Sequence, residues 1–288
     1  MVITSLDLNF PAQKPPGHVR FVCISDTHTR HRRIAMPPAD VLLHTGDFTF
    51  SGVEHEIQDF MNWIASTPYQ YKLMIPGNHE LTLDLPFYQQ NAARFHSRKA
   101  ETLNPLESRF QQHFETLGFK LFDENSQIGE RCKAIVLSKR EQNVFYLEDE
   151  MVTIPGTGIK VYGCPWMPDF HQFAFMMPRN SPELEAKVNQ IPTDVDIIMS
   201  HGPPHGIGRL DIAAFTQEHV GCELLTQRVM NTNAKVNVFG HIHESFGTCE
   251  VNGKTFINAS TCTLKYQADN PPVMFDLPVG GAEMDVQP

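Results

Sequence analysis

The 288-residue chain is poor in the features that mark secreted and membrane-spanning proteins. Its six cysteines form no C-x-x-C pair, and Cys23 lies within an apolar segment that reads as a buried strand. No run of about 18 apolar residues occurs, and the first residues lack a cationic start followed by an apolar core. We therefore expect a cytoplasmic protein with reduced thiols, without a disulfide framework or a membrane anchor.

Clustered positive charge is also missing. The chain has 23 Lys and Arg against 33 Asp and Glu, a net charge of −10, and its basic residues form no long run beyond residues 30–33. Proteins that bind DNA or RNA need basic patches to neutralise the phosphates. We therefore expect a small substrate as partner and no nucleic-acid polymer. No Ser or Cys nucleophile motif is visible either.

The sequence does contain five short polar motifs, each directly after an apolar run. The runs are VRFVCIS, DVLLHTG, YKLMIPG, VDIIMSHG and VNVFGHIHE, which read as short buried strands because they are rich in Val and Ile. Ligands of an open α/β sheet bind at the carboxyl ends of its strands, so the five motifs are expected at one edge. The motifs are Asp26-Thr27-His28, Gly46-Asp47, Gly77-Asn78-His79-Glu80, His201 and Gly240-His241-Ile242-His243.

These motifs carry side chains that bind metal ions. Asp26 and His28, at i and i+2 of an extended segment, point the same way and can hold one ion, and His241 and His243 repeat this spacing. Two ions can be bound if one carboxylate bridges them, and Asp47 is the natural bridge because the other acid already pairs with a histidine. The seven expected ligands are Asp26, His28, Asp47, Asn78, His201, His241 and His243.

A two-metal site of this composition indicates phosphoryl chemistry. Two ions about 3.5–4 Å apart lower the pKa of a bridging water and clamp the attacking and leaving oxygens of an in-line displacement. Imidazoles and an amide mixed with carboxylates suit Mn, Fe, Co, Ni or Zn better than Ca or Mg. We expect two divalent transition-metal ions, with Mn as the ion that serves in vitro.

The five motifs resemble those of calcineurin-like metallophosphoesterases. The sequence around them, from about residue 19 to 277, is similar to that of the metallophosphoesterase-domain-containing brain proteins. Those proteins are linked to class III cyclic-nucleotide phosphodiesterases. The resemblance implies an α/β fold of four layers, an α/β/β/α sandwich of two mixed β-sheets flanked by helices. It also implies hydrolysis of small phosphodiesters, including cyclic nucleotides, by a metal-bridging hydroxide.

The resemblance also assigns roles to individual residues. It implies that Asp47 is shared between the metals, that His79 contacts the phosphate and protonates the leaving oxygen, and that Glu80 orients His79. Asn78 would touch both metal and substrate. The implied ligands are Asp26, His28, Asp47 and His243 for one metal, and Asp47, Asn78, His201 and His241 for the other.

Three points stay open at this level. His205 and Arg209 lie in a proline-stiffened loop after His201, where they can contact substrate or simply face solvent. The same two-metal chemistry serves a phosphomonoesterase or protein phosphatase. A weakly active protein that only binds a nucleotide or a partner protein is a further alternative.

The remaining sequence gives a coarse organisation. Because the motifs span residues 26–243, we expect one domain over 1–288, with residues 81–150 as an insertion of open role. Within that insertion, residues 134–137 read as a strand. Elsewhere in the chain, Asn258-Ala259-Ser260 matches a glycosylation acceptor that we interpret as a false positive. Helices are expected with apolar stripes at Ile57, Phe60, Met61 and Ile64, at 106–117, from Ser181-Pro182-Glu183, and over Cys222, Leu225 and Val229.

Overall fold

The computed structural model describes residues 3–5, 13–96 and 127–279, and the predicted helix at 106–117 lies outside them. The helices in this part are α1 (Glu54–Ser66), α2 (Leu85–His96), α3 (Ile128–Leu137), α4 (Pro182–Asn189) and α5 (Glu223–Met230). The strands are β1 (Ile3–Ser5), β2 (His18–Ile24), β3 (Val41–His44), β4 (Tyr71–Met74), β5 (Val144–Tyr146), β6 (Glu150–Thr153), β7 (Lys160–Cys164), β8 (Met167–Pro168), β9 (Met176–Met177), β10 (Ile197–Ser200), β11 (Val236–Phe239), β12 (Gly247–Val251), β13 (Lys254–Asn258) and β14 (Val273–Pro278).

The strands form two six-stranded mixed sheets and a short β8–β9 pair. The first sheet has the order β1-β14-β2-β3-β4-β5, in which β2 to β5 are parallel and β14 is antiparallel to β2. The second has the order β12-β13-β11-β10-β7-β6, with a parallel centre and antiparallel edge strands. All five strands expected to precede the motifs are present, divided between the two sheets.

Side chains that point alternately to the two faces of each strand separate the layers of the fold. In β2, Phe21 and Cys23 belong to an apolar cluster between the two sheets, whereas Val22 and Ile24 belong to a cluster with the helices on the other face. Both sets are fully buried, as the period of two along a strand requires. A third cluster joins the outer face of the second sheet to α4 and α5. The predicted four-layer α/β/β/α architecture is therefore confirmed.

Helix α1 shows how its apolar stripe fixes it on the first sheet. The four expected stripe residues, Ile57, Phe60, Met61 and Ile64, are completely buried. Phe60 stacks on Phe48 with ring centroids 4.3 Å apart. Phe48 directly follows Asp47, so this packing sets one of the motif loops against the core of the sheet.

Two local predictions were wrong in detail. Residues 134–137 belong to helix α3, whose buried Gly129, Cys132 and Val136 follow a helical period rather than strand alternation. Gly129 lets this helix approach closely, since a Cβ there would lie 2.8 Å from Leu85 Cδ2. In α5, Cys222 is the N-cap and not part of the helix, and its sulfur accepts a hydrogen bond from Leu225 N at 3.4 Å.

Other expectations match the structure. Ser181 caps α4 by accepting a hydrogen bond from Leu184 N at 3.2 Å, with Pro182 in the first turn. All six cysteines are free thiols. Asn258 is buried and its amide donates to the carbonyls of Leu210 and Ile242, so this sequence is inaccessible to glycosylation in the folded protein. No helix within the described ranges is long and apolar enough to span a bilayer.

Candidate dinuclear metal site

The carboxyl ends of strands from both sheets meet in one place. Asp26 N donates to the carbonyl of Gly46 at 2.9 Å, and His28 N donates to that of Asp47 at 3.0 Å, so the loops after β2 and β3 run side by side. A parallel bridge between Ser25 and Ser260 joins the first sheet to the second. The motifs therefore meet at a junction of two sheets, not at the edge of one.

Several expected ligands have strained backbones. The φ angles are 50° at Asp26, 39° at His28, 55° at Asp47 and 68° at His241, a left-handed region that residues other than glycine seldom adopt, although Asp and His do so more often than most. Such strain costs on the order of 1–3 kcal/mol per residue and is concentrated at functional sites. The loops therefore hold these side chains inward at the expense of stability.

The first group of potential ligands consists of Asp26, His28 and His243. Their nearest ligand atoms all lie within 4.8 Å of one another. His243 Nε2 is 3.3 Å from Asp26 Oδ1 and 3.3 Å from His28 Nε2. The Nδ1 atoms of His28 and His243 lie 3.1 and 3.2 Å from backbone carbonyl oxygens, which can only accept. Each Nδ1 therefore carries the proton, and each Nε2 lone pair is left for a cation.

The second group consists of Asp47, His201 and His241, also within 4.8 Å. His201 Nε2 lies 3.3 Å from Asp47 Oδ1 and 2.9 Å from Asn78 Oδ1. Its Nδ1 lies 2.8 Å from the Thr45 carbonyl oxygen, so His201 also presents Nε2 to the site. All seven residues expected as ligands are thus placed in or beside the two groups.

Asp47 lies between the two groups. Its Oδ1 faces His201 at 3.3 Å, while its Oδ2 faces His28 at 3.8 Å. One carboxylate oxygen is thus directed to each group, the placement that a bridging ligand requires.

The electrostatics of the site fit cations. Burial lowers the pKa of His28 and of His241 to about 3, which keeps both imidazoles neutral, the form that binds metals. Burial alone would raise the pKa of Asp26, but the hydrogen bond and charge of His243 outweigh it and hold the pKa below its usual value. Against the effect of burial, the charge of Asp47 raises the pKa of His201 to about 9, and the hydrogen bond and charge of Asp26 raise that of His243, so these two imidazoles would release a proton when a cation binds. Carboxylates and imidazoles in one buried cluster are a chemically suitable donor set for divalent transition metals.

His79 lies beside the two groups without belonging to the expected ligand set. Its backbone N donates to Asp47 Oδ1 at 2.8 Å, and its ring is 4.7 Å from that of His28. Its Nδ1 lies 2.6 Å from the Phe50 carbonyl oxygen and therefore carries a proton. When the ring is protonated on both nitrogens, the opposite nitrogen, Nε2, can donate a proton to substrate.

Glu80 does not contact His79 as the resemblance implied. It is fully buried, and its carboxylate accepts from the backbone N atoms of Asp47 (2.8 Å), Thr49 (2.8 Å) and Gly77 (2.6 Å) and from the Thr49 hydroxyl (2.7 Å). Burial and the charge of Asp47 raise the pKa of Glu80, and the hydrogen bonds from Gly77 and Thr49 counteract this rise. Glu80 therefore ties the loop after β3 to the loop after β4 and acts on His79 only through them.

Replacing Glu80 by glutamine is expected to destabilise the fold and weaken metal binding. An amide NH₂ in place of either oxygen would face donors, leaving buried N–H groups unpaired at a cost of about 1–3 kcal/mol. Urea unfolding of Glu80→Gln should show this loss, while Glu183→Gln on the exposed side of α4 should unfold like the unaltered protein. Equal stability of the two variants would contradict the clamping role.

Two glycines are required by close approach to the carboxylates. A Cβ on Gly77 would lie 2.3 Å from Asp47 Oδ1, and a Cβ on Gly240 would lie 2.0 Å from Asp26 Oδ2. Neither glycine tolerates a side chain without displacement of a ligand. This explains why glycine precedes the ligands in these motifs.

A cavity of about 470 Å³ opens above the site. Asp47, Asn78, His79, His241 and His243 form its floor. His205 and Arg209 do not line it, although both were candidates for substrate contact. His205 pairs through its backbone with Cys222, and the Arg209 side chain lies beside a separate surface depression.

Sequence reasoning missed two residues at the site. The Ser260 hydroxyl donates to Asp26 Oδ2 at 3.0 Å. Tyr266 lies against His28 and His243, with ring centroids 4.8 and 5.4 Å apart, and burial raises its pKa to about 12. Ser260 is a polar residue directly after a predicted strand, the same position as the motifs, and could have been found in this way. Tyr266 lies in a loop whose sequence shows no such pattern.

Comparison with known proteins identifies the family. The family model described as calcineurin-like phosphoesterase matches residues 19–245. The chain belongs to the calcineurin-like phosphoesterases. It is a metal-dependent phosphoester hydrolase by membership, and the residues that the fold brings together can hold the divalent ions on which this family depends.

The relatives agree with this assignment. The chain is 41% identical to human metallophosphoesterase domain-containing protein 1 over 268 residues, covering 93% of this chain and 73% of that protein. It is 36% identical to a UPF0046 protein of Caenorhabditis elegans, over 92% of this chain and 61% of the other. Among solved structures, phosphopantetheinyl hydrolase of Mycobacterium tuberculosis has the same fold, with a TM-score of 0.50 at 16% identity over 88% and 92% of the two chains.

Proposed function

We propose that this phosphoesterase hydrolyses small phosphodiesters, including cyclic nucleotides, at the dinuclear site. The observation that supports a preference for diesters is the scarcity of cationic side chains in the lining of the cavity. Among the described residues that line it, Arg179 is the one Lys or Arg, and that guanidinium already pairs with Glu223 at 2.6 Å. The dianion of a phosphomonoester would favour free cationic side chains, whereas a monoanionic diester needs room for a second ester group.

The residues divide the work as follows. Asp26, His28, Asp47 and His243 would hold one ion, and Asp47, Asn78, His201 and His241 the other. Two divalent ions there would activate a water and offset the charge that develops on the phosphoryl oxygens. His79 would act in its doubly protonated form, with its Nδ1 proton held by the Phe50 carbonyl, and would donate the proton on Nε2 to the departing oxygen.

Metal removal tests the proposal. Chelation is expected to abolish hydrolysis of bis-p-nitrophenyl phosphate, because the hydroxide nucleophile would be generated by the ions, and Mn should restore it. Metal-stripped protein that hydrolysed the diester at an undiminished rate would refute the dinuclear mechanism. Fe, Co, Ni and Zn, tested beside Mn, would rank the ions that the site accepts.

Substrate class is decided by a parallel assay. The Mn-loaded protein should hydrolyse bis-p-nitrophenyl phosphate in preference to p-nitrophenyl phosphate, and a panel of 2′,3′- and 3′,5′-cyclic nucleotides should contain a substrate. A preference for the monoester would favour the phosphomonoesterase alternative. The absence of turnover with all of them would favour a protein that binds nucleotides or a partner.

The six free thiols support a reducing, cytoplasmic location.

A further inference from the structure

The cavity above the metal site is rimmed by apolar side chains that face water. Five large apolar side chains are exposed in the part of the chain that the structure describes. Three of them line this cavity: Phe170 is 62% exposed, Phe215 is 94% exposed and Leu264 is 48% exposed. We call these three residues the apolar rim. Exposed apolar surface concentrated at one concave site marks a ligand-binding surface rather than random surface composition.

The loop that carries Phe215 is firmly held. Ala213 N donates to the Glu218 carbonyl at 3.0 Å, and the Gln217 amide donates to the Ala214 carbonyl at 2.7 Å. Ala214 N also donates to Glu244 Oε1 at 2.6 Å. Glu244 directly follows His243, so this contact couples the position of Phe215 to the metal site. An aromatic ring kept in solvent by so many hydrogen bonds is positioned for a partner.

Charged groups around the cavity are already paired within the protein. Asp169 accepts from Gln172 N at 2.8 Å, and Glu244 accepts from Ala214 N. Arg179 donates to Glu223 and to the carbonyls of Val220 and Gly221. With these groups engaged, the apolar side chains are what the cavity offers to a ligand.

The apolar surface continues from the rim down to the reacting groups. Phe173 lies 5.3 Å from the His79 ring, and Tyr266 lies 4.8 Å from the His28 ring, measured between centroids. Both residues line the same cavity as the rim. A group attached to a phosphate at the metal site would therefore extend along aromatic surface toward Phe170 and Phe215.

We propose that this cavity is a binding site for a planar aromatic group carried on one ester arm of the substrate, and that Phe170 and Phe215 determine the preference for it. The assignment rests on the proposed function, because that function places the phosphate on the metal site. The ring can be a nucleobase or a simple aryl group, since both present the π-face on which aromatic side chains stack.

Binding of inert ligands tests the inference without relying on turnover. Dissociation constants for phenylphosphonate and methylphosphonate are measured by calorimetry on the Mn-loaded protein. If any aryl group fits, the unaltered protein should prefer phenylphosphonate by about tenfold, toward the low end of the range for stacking on an aromatic side chain. Phe215→Ala and Phe170→Ala should each reduce this preference, and Phe215→Tyr should retain it. Leu137→Ala, at an exposed leucine outside the cavity, is the matched control and should bind like the unaltered protein.

A second ligand pair separates the two sources of the ring. If the site is selective for nucleobases, 5′-AMP should bind more tightly than ribose 5-phosphate, and Phe215→Ala should remove that difference while phenylphosphonate gains little over methylphosphonate. If any aryl group fits, both pairs should respond to Phe215→Ala. Equal binding within both pairs by the unaltered protein, or an unchanged preference in both rim variants, would overturn the inference. Failure of diester hydrolysis alongside a rim-dependent preference would refute only the proposed reaction.

Discussion

Asp47→Ala is expected to lose both metal ions and with them the hydrolytic activity. The carboxylate presents one oxygen toward His201 and the other toward His28, so it serves both groups of ligands. Its removal leaves two cations adjacent without a shared anion. Metal affinity should fall by more than the roughly 10–100-fold typical of losing a residue that merely supports a ligand. Elemental analysis of the purified variant measures the number of ions bound per chain.

The interpretation needs variants that separate charge from folding. Asp47→Asn keeps the size of the side chain while removing its charge, so it should also lose metal while retaining the circular dichroism of the fold. Asp194→Ala removes an exposed carboxylate that pairs with Lys160 at the amino ends of β7 and β10, whereas the motifs follow the carboxyl ends of strands, and the variant should keep both ions. Two ions per chain in folded Asp47→Ala would show that Asp47 is not the bridge.

Local patterns in the sequence were sufficient to predict the strands and much of the helical layer. The apolar runs before the motifs became β2, β3, β4, β10 and β11, because short Val- and Ile-rich segments are stable only when buried on both faces. The stripe of α1 was predicted equally well, since four residues at helical spacing all needed the core. These features depend on neighbours in sequence, which periodicity reports directly.

Contacts between distant segments could not be obtained in the same way. Glu80 is next to His79 in sequence, yet its carboxylate turns to the backbone of residues 47, 49 and 77, where buried donors need a partner. His205 lies four residues after His201, but it does not line the cavity. His31 reads as a polar surface residue beside the first motif and is instead buried against Phe60 and Trp63.

The apolar rim of the cavity could not be predicted from local sequence either. Phe170 and Phe215 have no periodic neighbours and no motif, and nothing in their local sequence separates them from core phenylalanines. Only the folded structure shows that they are exposed and line the cavity above the metal site. Chemistry at the motifs was therefore predictable, whereas the surface expected to select the substrate was not.

His79→Ala divides a hydrolase from a protein that only binds. Because the side chain of His79 is assigned to the leaving group and not to a metal, the variant should keep its fold and its ions. Turnover should fall by about 10²–10⁴-fold, the usual contribution of a general acid. The loss should be greatest for diesters with a leaving group of high pKa and smaller for p-nitrophenolate, which departs readily without a proton.

Comparing leaving groups distinguishes proton donation by His79 from phosphate binding by the same residue. His171→Ala is the matched control, since this histidine lines the same cavity outside the ligand groups and should affect all leaving groups weakly. An equal loss for every leaving group in His79→Ala would assign His79 to binding the phosphate instead of protonating the product. Unaltered turnover of every diester would remove His79 from the reaction. A loss that increases with the pKa of the leaving group, at unchanged metal content, is the result expected if the doubly protonated His79, held through Nδ1 by the Phe50 carbonyl, donates the proton on Nε2.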